Sequence, residues 1–135
     1  SFILQPALTR TVSLAAVEST VEKPTMSLLD ARTQARWAGE EEPIDPIAGH
    51  IPTSACYPLN DNLNPDGTFK SATELAERFA ELPDPITCYC GSGVTACHNV
   101  LALKIAGREA GLFVDSWSGW IRDPQHPVGR AEPSV

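Results

Sequence analysis

Short apolar runs of strand length, alternating with helix-patterned segments, predict an α/β domain of three layers, a mostly parallel sheet with helices on both faces. Three observations carry that prediction. The runs 26–29, 86–89 and 112–114 are apolar or β-branched and too short for buried helices, and helical patterns stand between them. The 12 prolines and 9 glycines fall mostly between the runs rather than within them. At 135 residues, 42% apolar and 20% charged, the chain has globular composition and the length of one core.

Taken in order, 11–20 carries Val12, Leu14, Ala15, Ala16 and Val17 at mixed helical spacing and is read as a short helix leading into the domain. The run Met26-Ser27-Leu28-Leu29 reads as a buried strand ending at the polar Asp30. Residues 32–37 suit a helical turn, and the acidic, proline-broken segment 40–46 is expected to be an exposed loop. Gly49-His50-Ile51-Pro52 is a turn delivering the chain into a second strand at Ala55-Cys56-Tyr57, and 60–67 is a further loop. Ser71 and Glu74 have capping-box spacing, and Leu75, Phe79 and Leu82 follow at i, i+4 and i+7, which predicts a helix ending before Pro83. Ile86-Thr87-Cys88-Tyr89 is the third strand, bounded by Pro85 and Gly91. The segment 95–106 predicts a helix closed by Gly107 as a C-terminal cap. A fourth strand at 112–114, a turn entering a short helix at 116–121 and an irregular tail from Asp123 complete the reading.

Ten Lys and Arg against seventeen Asp and Glu leave a net charge of −7 with no basic stripe, which argues against nucleic acid and anionic membrane as partners. No apolar run approaches the ~18 residues of a membrane span, and a soluble chain is expected. The start, Ser1-Phe2-Ile3-Leu4, lacks methionine and is too short for a signal-peptide core, so it reads as a processed end of a longer protein. Cys56, Cys88, Cys90 and Cys97 are too few for a disulfide scaffold; reduced thiols and a cytoplasmic location are the expectation. Cys88, Cys90, Cys97 and His98 do not have zinc-knuckle spacing, so no metal is assigned.

The chemistry concentrates at Cys90-Gly91-Ser92-Gly93-Val94-Thr95, between the strand 86–89 and the helix 95–106. In open α/β sheets the working site lies beyond the carboxyl ends of the strands. Glycines there let backbone N–H groups turn inward and the helix adds its positive end, so Gly91, Ser92, Gly93, Val94 and Thr95 are expected to cradle an anion and Cys90 to be a thiolate nucleophile. A cysteine phosphatase would need an arginine six positions on to clamp phosphate, and that position is Ala96. No Lys or Arg occurs from Cys90 to Asn99, which suits a cysteine that carries sulfur.

This loop resembles the active-site loop of 3-mercaptopyruvate sulfurtransferases in the rhodanese superfamily. Leu29-Asp30-Ala31-Arg32, Gly49-His50-Ile51-Pro52 and Ser116-Trp117-Ser118 with Trp120 resemble three further segments of the family, in the family's order over roughly 28–130. The resemblance implies a rhodanese-like fold, no cofactor, and a Cys90 persulfide that takes sulfane sulfur from thiosulfate or 3-mercaptopyruvate and yields it to cyanide, a thiol or thioredoxin. It implies that Ser92 helps polarise the donor, that Arg36 pairs with the donor carboxylate, and that Asp30, Arg32 and Trp117 support the site. Enzymes of this group are tandem, so the chain is expected to be the C-terminal catalytic half, with 1–22 as linker and leading helix, 23–130 as catalytic domain, 131–135 as tail, and an N-terminal rhodanese domain as partner. A second carboxylate-binding arginine of the animal enzymes has no equivalent in 40–46, and Asp115 and Gly119 depart from the family pattern. Donor preference stays open, and so does a non-turnover sulfur carrier or redox module that needs its partner domain.

Plainer readings stand beside these. Cys56, Cys88 and Cys97 are expected as small buried apolar residues. His50 is expected to satisfy nearby backbone, His98 to be packing or solvent, and Trp37, Trp117 and Trp120 to be core or pocket wall. Arg36 is balanced between substrate contact and surface ion pair, and Glu40, Glu41 and Glu42 are expected to be solvated.

Overall fold

The computed structural model describes residues 10–91 and 95–130. Its strands are β1 (Arg10–Thr11), β2 (Ser27–Asp30), β3 (Ala55–Cys56), β4 (Ile86–Tyr89) and β5 (Ala110–Leu112), all parallel, in the order β1-β5-β4-β2-β3. The helices are α1 (Leu14–Glu22), α2 (Gln34–Ala38), α3 (Ala72–Arg78), α4 (Ala96–Ile105) and α5 (Ser116–Trp120), with a 3-10 turn at Leu59–Asn62.

Alternation along the strands divides the core into two layers. Leu29, Ile86 and Cys88 pack with Leu75, Phe79 and Leu103 of the α3–α4 side. Leu28 and Tyr89 pack with Val17, Phe113, Trp117 and Trp120 of the α1–α5 side. Every one of these side chains is at most 1% exposed, so the sheet is covered on both faces as predicted.

Local signals set several element ends. Ser71 Oγ accepts from Glu74 N at 3.2 Å while Glu74 Oε1 accepts from Ser71 N at 3.3 Å, the predicted capping box. Gly107 takes φ +86 just past α4, the left-handed conformation expected of a C-terminal glycine. α3 stops at Arg78 instead of continuing to Leu82: the chain tightens into turns, Ala80 N donating to Glu77 O and Leu82 N to Phe79 O, and Arg108 donates to Phe79 O at 2.7 Å and Leu82 O at 2.6 Å.

Tertiary pairing corrects two other expectations. The first helix begins at Leu14, not Thr11; Ser13 Oγ caps it, and Arg10–Thr11 instead joins the sheet beside Gly111 and Leu112. The last strand is Ala110–Leu112, not 112–114. Ala and Gly are weak strand formers, yet the pairing Ile86↔Ala110 sets the register, and a Cβ on Gly111 would lie 2.8 Å from Val12 Cγ2. Val114, left beyond the ladder, is 49% exposed.

The connection after β2 runs to β3 on one side, while β4 pairs with β2 on the other. The carboxyl ends of β2, β3 and β4 therefore open onto a common crevice, where chain reversal leaves room for a ligand.

Candidate active site

A cleft of about 260 Å³ lies at those strand ends. Cys90 and Gly91 line it from the end of β4 and Thr95 from the start of α4; Arg32, Arg36, Ile44 and Asp45 come from the segment after β2, Leu59 and Asn60 from the segment after β3, and Ser118 from α5. Ser92, Gly93 and Val94, and with them the centre of the predicted amide cradle, lie outside the described residues.

The turn from β5 into α5 holds the β4 exit. Cys90 N donates to Ser116 Oγ at 3.1 Å, Cys90 O accepts from Trp117 N at 2.9 Å, and Gly91 O accepts from Ser118 N at 2.9 Å. Ser116 has φ +55, and its hydroxyl donates to Phe113 O at 3.0 Å. That strained conformation aims one oxygen at two backbone groups. Cys90 itself is 1% exposed; it packs with Ala31 and Ala96 in the α3–α4 core layer while lining the cleft.

Asp30, at the end of β2, receives Arg32 in a fork: Nε lies 3.0 and 3.1 Å from the two carboxylate oxygens and Nη2 lies 2.7 Å from Oδ2. Arg32 Nη2 also donates to Gly49 O, and its guanidinium lies 4.9 Å from the Trp117 ring centre. Burial pulls the Arg32 pKa down, but the hydrogen bond and charge of Asp30 outweigh it and hold the group above its ordinary value. Trp117 is anchored in turn by Nε1 donating to Ile47 O at 2.9 Å.

The acidic segment is not the solvated run that composition suggests. Glu40 and Glu41 are exposed, but the Glu42 side chain is 5% exposed and bridges two arginines. Its Oε2 accepts from Arg36 Nη2 at 2.9 Å, Ile44 N at 3.1 Å and Asp45 N at 3.0 Å; its Oε1 accepts from Arg32 Nη1 and Arg36 Nε, each at 3.3 Å. Burial pushes the Glu42 carboxyl up, yet the Asp45 backbone N–H, the Arg36 side chain and the Ile44 backbone N–H together hold it below the ordinary carboxylate value. Asp45, 9% exposed, accepts from Ser118 Oγ at 2.7 Å through Oδ1, and its Oδ2 stands 3.5 Å from Arg36 Nη2. The rest of 40–46, namely Glu40, Glu41, Pro43, Ile44 and Pro46, is exposed as predicted, Ile44 to 76%. Arg36 is thus no surface ion pair: it is a cleft residue held by two carboxylates.

The plainer expectations divide. His50 Nδ1 meets Trp37 O at 2.7 Å and its ring stacks on Trp37 at 4.0 Å, the backbone-satisfying role expected. His98 packs against Phe69. Burial pushes the Cys88 thiol up to about 12, and burial with the Asp30 charge takes Cys56 to about 11, so neither is a nucleophile. Cys97 is exposed, against the expectation of burial, because it falls on the outer face of α4. Glu42 and Asp45 were not singled out in the sequence, and Ser116 and Ser118 stood in the Ser-Trp-Ser motif without a role; the structure brings all four to the cleft or its walls. The spacing of Arg36, Glu42 and Asp45 was the one available signal, and in a loop spacing has no periodicity that would bring side chains together. No helix among the described residues is long and apolar enough to cross a membrane.

Residues 13–123 match the rhodanese-like domain family. A Pseudomonas aeruginosa protein named "Probable 3-mercaptopyruvate sulfurtransferase" is 45% identical over 95% of this chain and 47% of its own length. The human 3-mercaptopyruvate sulfurtransferase is 35% identical over 87% of this chain and 41% of its own length. In fold, the crystal structure of Tum1 from Saccharomyces cerevisiae matches with a TM-score of 0.80 at 24% identity, over 92% of this chain and 47% of that one. The chain therefore spans about half the length, or less, of these relatives.

Proposed function

The chain belongs to the rhodanese-like domain family, and on that premise we propose that it is a sulfurtransferase in which Cys90 carries the sulfur. One observation supports this most: the cysteine after β4 lines a cleft whose two arginines are already paired with carboxylates, with Ala96 where a phosphate-clamping arginine would stand. With Ala96 in that place the loop lacks the bidentate guanidinium clamp that phosphoryl transfer needs, whereas a sulfur atom on Cys90 needs only room and donors from the loop.

The Cys90 thiolate attacks the outer sulfur of thiosulfate, whose sulfur–sulfur bond breaks to release sulfite, or the thiol sulfur of 3-mercaptopyruvate, whose carbon–sulfur bond breaks to leave an enolate that takes a proton and departs as pyruvate; the persulfide then yields its outer sulfur to a thiol or cyanide. Arg36 orients the donor's acid group, and Ser92 with the amides of Gly91, Ser92, Gly93, Val94 and Thr95 stabilises the sulfur anion. Asp30, Arg32 and Trp117 hold the wall behind them. We assign 23–130 as the catalytic unit, 1–22 as linker and leading helix and 131–135 as tail, and take the whole as the C-terminal half of a tandem protein whose N-terminal rhodanese domain completes the site. Persulfide chemistry calls for a reducing compartment, and the cytoplasm fits.

Incubation with either donor should leave the protein one sulfur atom heavier at Cys90, and cyanide should then release thiocyanate. A Cys90→Ser variant that loads sulfur as wild type does would sink the assignment. The short span relative to the relatives favours one second reading, a sulfur carrier that turns over only with its partner domain. Loading without turnover until the other half is added would establish that reading.

A further inference from the structure

Five ionised side chains surround the cleft on its α2 side: two arginines, Arg32 and Arg36, against three carboxylates, Asp30, Glu42 and Asp45. Four of them are locked by hydrogen bonds. The fifth, Asp45, is different. Its side chain is nine-tenths buried and lines the cleft; Oδ1 is satisfied by Ser118, but Oδ2 receives no hydrogen bond among the described residues and meets Arg36 Nη2 only at 3.5 Å. That is the longest of the Arg36 contacts to a carboxylate, and hence the one that opens at least cost.

A desolvated carboxylate oxygen without a donor is an unmet demand, and charge-assisted hydrogen bonds answer it best. A neighbouring cation and anion on one wall match a molecule that carries both charges at that spacing. In an α-amino acid the ammonium nitrogen and carboxylate oxygens lie about 3 Å apart. Such a ligand inserts between the two side chains, its carboxylate on Arg36 and its ammonium on Asp45 Oδ2, replacing one poor ion pair by two hydrogen-bonded ones.

We propose that Asp45, braced by Ser118, is an ammonium subsite that makes the cleft select a zwitterionic α-amino thiol, a cysteine-like molecule, as sulfur acceptor. The proposal rests on the persulfide reading of Cys90. The acceptor thiolate attacks the outer sulfur of the Cys90 persulfide, the sulfur–sulfur bond breaks with its electron pair leaving on the Cys90 sulfur, and the acceptor departs as its own persulfide. No outside oxidant or reductant enters. Ile44, exposed at the rim, offers no charge to compete for either end.

The test separates the two readings. The whole natural protein is first loaded with sulfur and checked by intact mass. Transfer to cysteine and to N-acetylcysteine, which keeps the carboxylate and loses the ammonium, is then timed in single turnover at equal thiolate concentration. Cysteine is expected to react about tenfold faster, the effect of one charged hydrogen bond, and in Asp45→Asn that ratio should fall towards one. If Asp45→Asn does not fold, cysteamine against 2-mercaptoethanol in wild type reads the same subsite, and the amine should win. Equal rates for each pair in a protein that loads normally overturn the subsite alone. An unchanged ratio in a folded Asp45→Asn does so as well. A protein that takes up no sulfur overturns the Cys90 reading and this one together.

Discussion

Arg32 and Arg36 stand four residues apart, both face carboxylates, and both line the same cleft, yet the protein uses them differently. The Arg32 side chain is 1% exposed, forked onto an Asp30 that is wholly buried, tied to Gly49 O and laid over Trp117. Its donors are spent on the scaffold. Arg36 is 14% exposed, with Nε and Nη2 on Glu42 and a slack contact to Asp45. The contrast teaches that an ion pair becomes structural when backbone carbonyls and aromatic faces enclose it, and remains available to ligands when its partners sit on a loop.

The comparison breaks first, if it is wrong, at Asp30. Asp30→Ala leaves a buried guanidinium without its fork and should cost about 3–5 kcal/mol of stability, read as a large fall in the urea midpoint. Arg36→Ala should cost clearly less, because Glu42 keeps Arg32 and two backbone N–H donors, while raising the KM for a carboxylate-bearing donor about tenfold or more. Should Arg36→Ala prove as destabilising as Asp30→Ala, the division between scaffold and ligand arginine would collapse.

Glu42 sharpens the same contrast through pH. Its folded pKa lies below the ordinary 4.5, so the stability it adds is fully present above that value and disappears as pH falls through the lower folded value. The gap between wild type and Glu42→Gln in denaturant titrations should therefore be constant near neutrality and close only in acid. A gap that persists unchanged in strong acid would mean that packing, not charge, is what Glu42 supplies.

The smallest effect belongs to a third ionic contact, one that does not line the cleft. His126 stacks on Trp120 at 3.9 Å, with Nδ1 2.7 Å from Trp120 O and Nε2 3.1 Å from Glu18. Both ring nitrogens face acceptors, which favours the doubly protonated ring. Burial lowers its pKa, but the Trp120 carbonyl and Glu18 raise it further, to a net value above 6.5. Here the sign is opposite to Glu42: the contribution is complete below 6.5 and is lost as pH rises through the folded value. His126→Gln should differ slightly from wild type in melting temperature at pH 6 and not at all well above neutrality; an equal difference at both would remove the charge from the explanation.

What the amino-acid sequence determined by itself was whatever depends on neighbours along the chain. The capping box at Ser71, the cap at Gly107 and the strand 86–89 are all local patterns, and each forms where it was expected. The α/β class follows from the same alternation of short runs. Tertiary structure decided the rest. The register of β5 comes from its pairing with β4, Ile86↔Ala110, the strand at Arg10–Thr11 comes from a partner about a hundred residues on, and the burial of Glu42 and Asp45 comes from arginines that composition places only somewhere in the same segment. Charge patterns report the cost of burying a group, but not whether a partner will be there to offset it; only the folded chain supplies that partner.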